Sequence, residues 1–562
     1  MARTVGIGNQ DFYTIRKNDY FYIDKTDFIR EWWENGDSAT LITRPRRFGK
    51  TLNMSMTEHF FSIRYKDCRE IFEGLSIWQH EKYRMLQGTY PVISLSFASV
   101  KEDCYENTRR KICQLLANLY SEHEYLLEGS ILTEQERDFW SRVSADMGDV
   151  EASLALYQLS ACLMRYYGKK AVILLDEYDT PMQEAYIHGY WDELVLFVRN
   201  IFNAAFKTNP YMERALLTGI TRISKESIFS DLNNLEVVTA TSVKYRECFG
   251  FTQKEVTEAL KEYGVEGKIE TVKDWYDGFS FGNLPDIYNP WSILNYLDKG
   301  IFSTYWANTS SNSLIGKLIR GGSPHVKTIM EDLMNGKEFS TQLDEQVVFE
   351  QLDYNENAIW SLLLAGGYLK VSAYHSNEDT GKEEYVLALT NKEVRLTFER
   401  MIEGWFSRHT QDYNGFIKAL LRDDLKAMNV YMNRVALATF SFFDTGNHPS
   451  ESAEPERFYH GFVLGLMVEL RERYRVTSNR ESGFGRYDVM LEPKEKKDDA
   501  MIFEFKVFDP DEETTLHDTV KRALEQIEEK NYVSALEAMG IPSSRIRMYG
   551  FAFQGKNVMI GK

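Results

Sequence analysis

The feature that most restricts what this chain can fold into is a short junction. An apolar run, Ala39–Ile42, passes through Thr-Arg-Pro-Arg-Arg-Phe to Gly49, Lys50 and Thr51, where a helical pattern begins. A turn of this kind presents backbone N–H groups at a helix N-terminus, with a lysine for β/γ phosphates and a hydroxyl for a divalent cation. Gly49, Lys50 and Thr51 supply the second half of the pattern G-x-x-x-x-G-K-[ST], and Arg44 stands where its first glycine would be. Arg44, Arg46, Arg47 and Lys50 place four positive charges within seven residues, and no acid occurs between Asp37 and Glu58. The loop reads as a cradle for an anionic ligand; the plainer alternative is a solvated basic turn.

A second run, Lys170–Leu175, ends in Asp176-Glu177. An apolar strand ending in two acids suits a nucleotide site, where Asp176 would hold Mg²⁺ together with Thr51, and Glu177 would orient an attacking water. A third run, Ala215–Thr218, enters a polar turn in which Thr218 or Thr221 would sense the γ-phosphate and Arg222 would neutralise developing charge. Runs at Pro91–Phe97 and Arg214–Thr218 alternate with helical patterns at Thr51–Ile63 and Thr108–Ser121. Short apolar runs between helices predict an α/β fold with a buried parallel sheet, of the P-loop ATPase type.

At 562 residues the chain has room for three domains. The expected boundaries are 1–282 for the nucleotide domain, 283–404 for a helical middle region, and 405–562 for a second α/β domain. Within the middle region, a helix, two strands and another helix follow in the order of a winged-helix module; an irregular helical linker fits equally well. Apolar residues make up 43% and charged residues 27%, which excludes a largely disordered chain. The net charge of −18 means that any nucleic-acid contact must be a local basic patch. No apolar stretch approaches the 20 or so residues of a membrane span, so no membrane partner is expected. Five scattered cysteines and an N-terminus without an apolar core point to a reducing cytoplasm.

The C-terminal region carries Gly485-Arg-Tyr-Asp488 at the head of one strand-like run and Ile502-Phe-Glu504-Phe-Lys506 in the next. Alternate strand residues share a face, so Glu504 and Lys506 project together, and a hairpin would bring Asp488 beside them. Two carboxylates at close range make an oxygen site for Mg²⁺ or Mn²⁺, and an adjacent ammonium can position water or stabilise a phosphate. A solvent-facing ion pair is the common alternative for Glu-x-Lys. Apolar flanks at Ile502, Phe503, Phe505 and Val507 argue for a buried strand, where charges must be paired or coordinated. Gln526, on the following helix, His460, near the start of the preceding one, and Glu481 are accessory candidates.

The stretches LITRPRRFGKTLNMSM, ILLDEYDTPMQEA, TGITRISKESIFSDLNNL and WYDGFSFG with IYNPWSILNYL resemble a bacterial family of AAA-ATPase-like proteins carrying a C-terminal PD-(D/E)XK nuclease-like domain. FYHGFVLGLM, ESGFGRYDVML and IFEFKV resemble that second domain. The resemblance implies a P-loop ATPase fold related to signal-transduction ATPases, joined to a restriction-endonuclease-like α/β fold. It maps Asp488, Glu504 and Lys506 onto the nuclease motif, and Gln526 and Tyr532 onto a glutamine–tyrosine helix motif of the exonuclease branch. The expected cofactors are ATP and Mg²⁺ or Mn²⁺, and the expected partner is nucleic acid, DNA ahead of RNA, in a monomer or homo-oligomer. The rival readings are a nucleotide-dependent switch whose nuclease fold is a silent binding module, and a protein remodeller.

Overall fold

The computed structural model describes residues 2–562 apart from 222–227, 230–231, 307–312, 344–348, 354, 378–381, 406–409, 444–453, 483–484, 496 and 555–556. It forms two compact units: Met1–Ser310 with Ser340–Val394, and Ser311–Phe339 with Arg395–Lys562. The 283–404 stretch, expected as one middle region, is divided between them. The division follows burial: Val326, Met330 and Leu333 on the helix Pro324–Met334 are buried within the second unit.

The first unit is built on five parallel strands: β1 (Ala39–Thr43), β2 (Val92–Ser96), β3 (Ala171–Asp176), β4 (Met212–Gly219) and β5 (Leu235–Val238). Their order is β2-β3-β4-β1-β5. Every residue of β1 and β3 is buried, which is why both read as unbroken apolar runs. At one edge, β2 instead alternates, with Ser94 and Ser96 exposed. The other edge, β5, is four residues long and contains Glu236, so it carries no apolar run to betray it. Because all five strands are parallel and β4 lies between β1 and β3, the carboxyl ends of those three meet at one edge of the sheet. That edge is where open α/β sheets place their ligands. The helix α1 (Lys50–Phe61) leaves β1, and α2 (Thr180–His188) leaves β3. In the same unit, the hairpin Leu369–Asn377 with Lys382–Leu389 follows the helix Glu356–Ala365, the order read from the sequence.

The second unit contains the helix α3 (Pro324–Met334) and most of α4 (Lys392–Trp405), then α5 (Glu454–Leu470) and α6 (Leu516–Glu529). Its sheet has the order of the chain: β6 (Tyr474–Ser482), β7 (Gly485–Pro493), β8 (Ala500–Val507), β9 (Ile546–Gln554) and β10 (Asn557–Gly561). The pairs β6–β7, β7–β8 and β9–β10 are antiparallel, whereas β8 and β9 are parallel. A parallel pair needs a crossover, and α6 supplies it, opened by a capping box between Thr515 and Asp518. Ile527 and, beyond the helix, Tyr532 and Leu536 pack against Met490 and Ile502 of the sheet to form a core on that face.

The free edge of β6 is covered from an unexpected direction. Glu331 accepts the Ser478 backbone N–H at 2.6 Å and its hydroxyl, and the Asn335 amide donates to the Val476 carbonyl at 3.4 Å. Side chains four apart on or just beyond α3 thus satisfy alternate outward groups of an edge strand. This is the kind of cover that keeps an open sheet edge from pairing elsewhere.

Candidate functional sites

In the first unit, the turn after β1 is shaped by two left-handed residues, Arg47 (φ 67°) and Gly49 (φ 81°). Nothing lies within 4 Å of where a Gly49 Cβ would be, so Gly49 serves the backbone conformation and not a close contact. Arg44 is fully buried. It donates to the carbonyls of Thr43 at 3.1 Å and Thr239 at 2.5 Å, and lies 4.2 Å from the centre of the Phe281 ring. Burial lowers its pKa to about 9. Arg44 is therefore an internal brace, which corrects its expected place in the anion cradle: a side chain spent on carbonyls beneath the loop does not face a ligand above it.

Lys50 is also buried, and its ammonium donates to the carbonyls of Arg44 at 2.8 Å and Pro45 at 2.9 Å. Burial pulls its pKa down to about 8, opposed by the charges of Glu177, Asp176 and Asp179. Arg46 reaches Gln183 of α2 at 3.2 Å, and the Arg47 guanidinium lies 4.5 Å from the Trp291 ring centre. The two strand ends meet as the sequence suggested. The Thr51 hydroxyl donates to Asp176 Oδ2 at 2.7 Å, and Thr218 donates to Asp176 Oδ1. Burial raises the Asp176 carboxyl, and the two hydroxyls partly offset the rise. Glu177 sits in the next position with φ 51° and accepts the Thr180 hydroxyl at 3.2 Å. Arg222 lies outside the described residues.

Asp179 escaped the sequence reading. Its Oδ2 accepts the backbone N–H of Ile220 at 2.9 Å and of Thr221 at 3.0 Å, the Thr221 hydroxyl at 3.0 Å and the Gln183 amide at 3.1 Å. At 1% exposure it is an internal fastener between the ends of β3 and β4. Its only signal in the sequence was an acid one place before a helix that has proline at its second residue, a position normally read as a cap.

In the second unit, Val489 pairs with Phe503. Carried one residue further, that register sets Asp488 across from Glu504 on the same face of the sheet. Asp488 Oδ2 accepts the Phe505 backbone N–H at 2.7 Å. Glu504 is 1% exposed and lies 3.5 Å from the Lys506 ammonium, and it also accepts the Gln526 amide. Gln526 reaches the Tyr532 hydroxyl at 3.2 Å as well. Asp488, Glu504, Lys506, Gln526 and Tyr532 are thus brought together by β7, β8 and the end of α6. The side chains of His460 and Glu481 lie outside the described residues.

Burial raises both carboxyls, Asp488 to about 6 and Glu504 to about 8, the latter pushed further by the Asp488 charge; Lys506 offsets part of each rise. Glu504 Oε2 is buried and accepts no hydrogen bond. A buried carboxylate oxygen left without a donor is costly, and it is what a cation ligand looks like. Among the described residues no group of three His, Cys, Asp or Glu side chains gathers to hold a metal. Two carboxylates suit Mg²⁺, which keeps several waters and takes few protein ligands.

Residues 6–229 match the family model described as "Predicted AAA-ATPase", and residues 454–562 match that of the PD-(D/E)XK nuclease superfamily. A protein of Azotobacter chroococcum mcd 1, described as an uncharacterized protein in vnfD 5′ region, is 26% identical over 568 residues. The match covers 97% of this chain and 96% of that one. The first unit accordingly carries an AAA-ATPase-like module and the second a PD-(D/E)XK nuclease-like module. Among the described residues, no helix is long and apolar enough to cross a membrane.

Proposed function

We propose that this chain, an AAA-ATPase-like module joined to a PD-(D/E)XK nuclease-like module, is a divalent-metal-dependent nuclease gated by ATP. The observation that carries the reading is Asp488, half-buried, beside the buried Glu504, with Lys506 next to it and one Glu504 oxygen unsatisfied. Asp488 and Glu504 would hold Mg²⁺ or Mn²⁺. Bound there, the cation would act as a Lewis acid on a phosphodiester and lower the pKa of a water. Lys506, a quarter exposed, would orient that water or balance charge on the phosphate. Gln526 keeps Glu504 in place and is itself held by Tyr532.

In the first unit, the turn Gly49–Thr51 would take the phosphates of ATP, with Lys50 turning from loop carbonyls to phosphate oxygens. Thr51 and Asp176 would hold its Mg²⁺, and Glu177 would orient water. Arg46, Arg47 and Arg222 would supply further positive charge. The favoured substrate is DNA. The test incubates the full chain with plasmid, single-stranded DNA and RNA, with and without Mg²⁺, Mn²⁺ and ATP. Cleavage that requires the metal and changes with ATP is expected. No cleavage of any substrate under any condition would overturn the nuclease reading, and cleavage indifferent to ATP would overturn the gating.

A further inference from the structure

The stretch IYNPWSILNYL has no part in the chemistry proposed above, yet it is bonded to the phosphate loop of the first unit. Two of its side chains, Asn289 and Ser292, are fully buried. The Asn289 amide donates to the Arg46 carbonyl at 3.2 Å, next to the Arg44 and Pro45 carbonyls that accept the Lys50 ammonium. Asn289 Oδ1 accepts the N–H groups of Trp291 at 3.0 Å and Ser292 at 3.3 Å, which caps the helix Pro290–Lys299. One side chain therefore fastens the loop to the start of a helix.

That helix passes the connection on. In its first turn, the Ser292 hydroxyl donates to Glu393 Oε2 at 2.7 Å. Glu393 Oε1 accepts the N–H of Trp306 at 2.8 Å and that of Tyr305. At 0% exposure, Glu393 cannot trade these donors for water without a large cost. It lies in the first turn of α4, and α4 runs on unbroken past Val394 into residues of the second unit.

The loop itself has two arrangements open to it. The Lys50 ammonium can serve the Arg44 and Pro45 carbonyls, or it can turn to a phosphate. The turn strips two successive carbonyls of their donor, and the loop resettles next to the point where Asn289 grips the Arg46 carbonyl. An element with two arrangements, biased by a ligand that favours one of them, is what coupling between distant sites requires.

We propose that Asn289, Ser292 and Glu393 transmit the state of the phosphate loop to the first turn of α4. This rests on the reading of Gly49–Thr51 as an ATP site, and it gives the gating a physical route, along a continuous helix. Asn289 and Ser292 are positioning residues: neither touches ATP, and each acts through the group it holds.

The test is hydrogen–deuterium exchange on the full chain, with and without a non-hydrolysable ATP analogue and Mg²⁺. Peptides spanning 44–51 report the loop, and peptides spanning 390–405 report α4. In the wild type the analogue should protect 44–51 and change exchange at 390–405 by at least about fivefold, the lower end of ordinary coupling between sites. Ser292→Ala removes the donor to Glu393 and leaves the loop alone, so it should keep the protection at 44–51 and lose the change at 390–405. Asn289→Asp keeps the helix cap but replaces the amide donor with an acceptor, and it should uncouple α4 in the same way. Protection at 44–51 with α4 unmoved in the wild type would overturn the coupling alone. A change at 390–405 that persists in both variants would overturn it too, because another route would then carry the signal. A wild-type loop left unprotected would refute the ATP site and the coupling together. Exchange requires no cleavage, so these outcomes are independent of the chemistry at Asp488 and Glu504.

Discussion

At the residue scale, Glu504 is the side chain with the most to reveal. Folding holds its proton up to about pH 8, whereas an exposed glutamate gives it up near 4.5. A carboxyl whose pKa is raised contributes stability fully below the unfolded value, and that contribution is lost as pH climbs to the folded value. In EDTA, the second unit should therefore lose stability as pH rises from the ordinary carboxylate range toward 8, because the folded state holds protons on Asp488 and Glu504 that the unfolded chain releases. Glu504→Gln should flatten that slope. Thermal melts from pH 5 to 8.5 with parallel slopes for the two proteins would refute the burial argument. The same substitution keeps the shape that Gln526 contacts but should end metal-dependent cleavage. In the first unit, Lys50→Ala should weaken ATP by at least about tenfold, roughly 1.4 kcal/mol. Glu177→Gln should retain ATP and stop turnover. Equilibrium binding beside a phosphate-release assay separates the two, and unchanged hydrolysis in Glu177→Gln would move the catalytic role elsewhere.

At the scale of elements, the sheets show what a single sequence reveals and what it hides. The strands β1, β3, β4 and β8 are buried runs, and their apolar residues announced them. In the two five-stranded sheets, the missed strands β5, β6 and β10 all lie at edges. There one side meets solvent or a helix, and residues such as Glu236 and Arg475 break the run without breaking the strand. Thr51, Asp176, Asp488, Glu504 and Lys506 were legible because two-residue strand periodicity and the strand-to-helix turn fix their directions. Asp179 and Glu331 were not, since each acts on backbone N–H groups far away in sequence, which no local pattern records. Glu331→Ala would strip the Ser478 N–H and hydroxyl of their buried acceptor. It should cost at least about 1.5–3 kcal/mol, the worth of hydrogen bonds to a charged group, seen as a lower melting transition of the second unit. Asp179→Ala should leave ATP bound yet slow its turnover, because the turn after β4 loses its anchor. Equal loss of binding and turnover would make Asp179 a plain fold residue.

At the scale of the whole molecule, the chain passes between its two units three times, near residues 310, 339 and 394. A fragment beginning at Arg395 thus lacks α3 and leaves the edge of β6 open. Such a fragment should aggregate, and a version with Ser311–Phe339 joined ahead of Arg395 should stay monomeric; light scattering on the pair decides it. The interleaving also sets a timetable for synthesis. Residues 311–339 emerge from the ribosome 134 residues before Tyr474, where β6 begins, a lead of about 7–27 s at ordinary elongation rates. For that interval Val326, Met330 and Leu333, buried in the finished unit, lack the β6 edge, and for most of it α5 as well. The first unit, meanwhile, cannot finish either until residues 340–394 return to it. The newborn chain carries an orphaned amphipathic helix past a nearly complete neighbour, and it is in those seconds, rather than in the finished protein, that it most needs a chaperone.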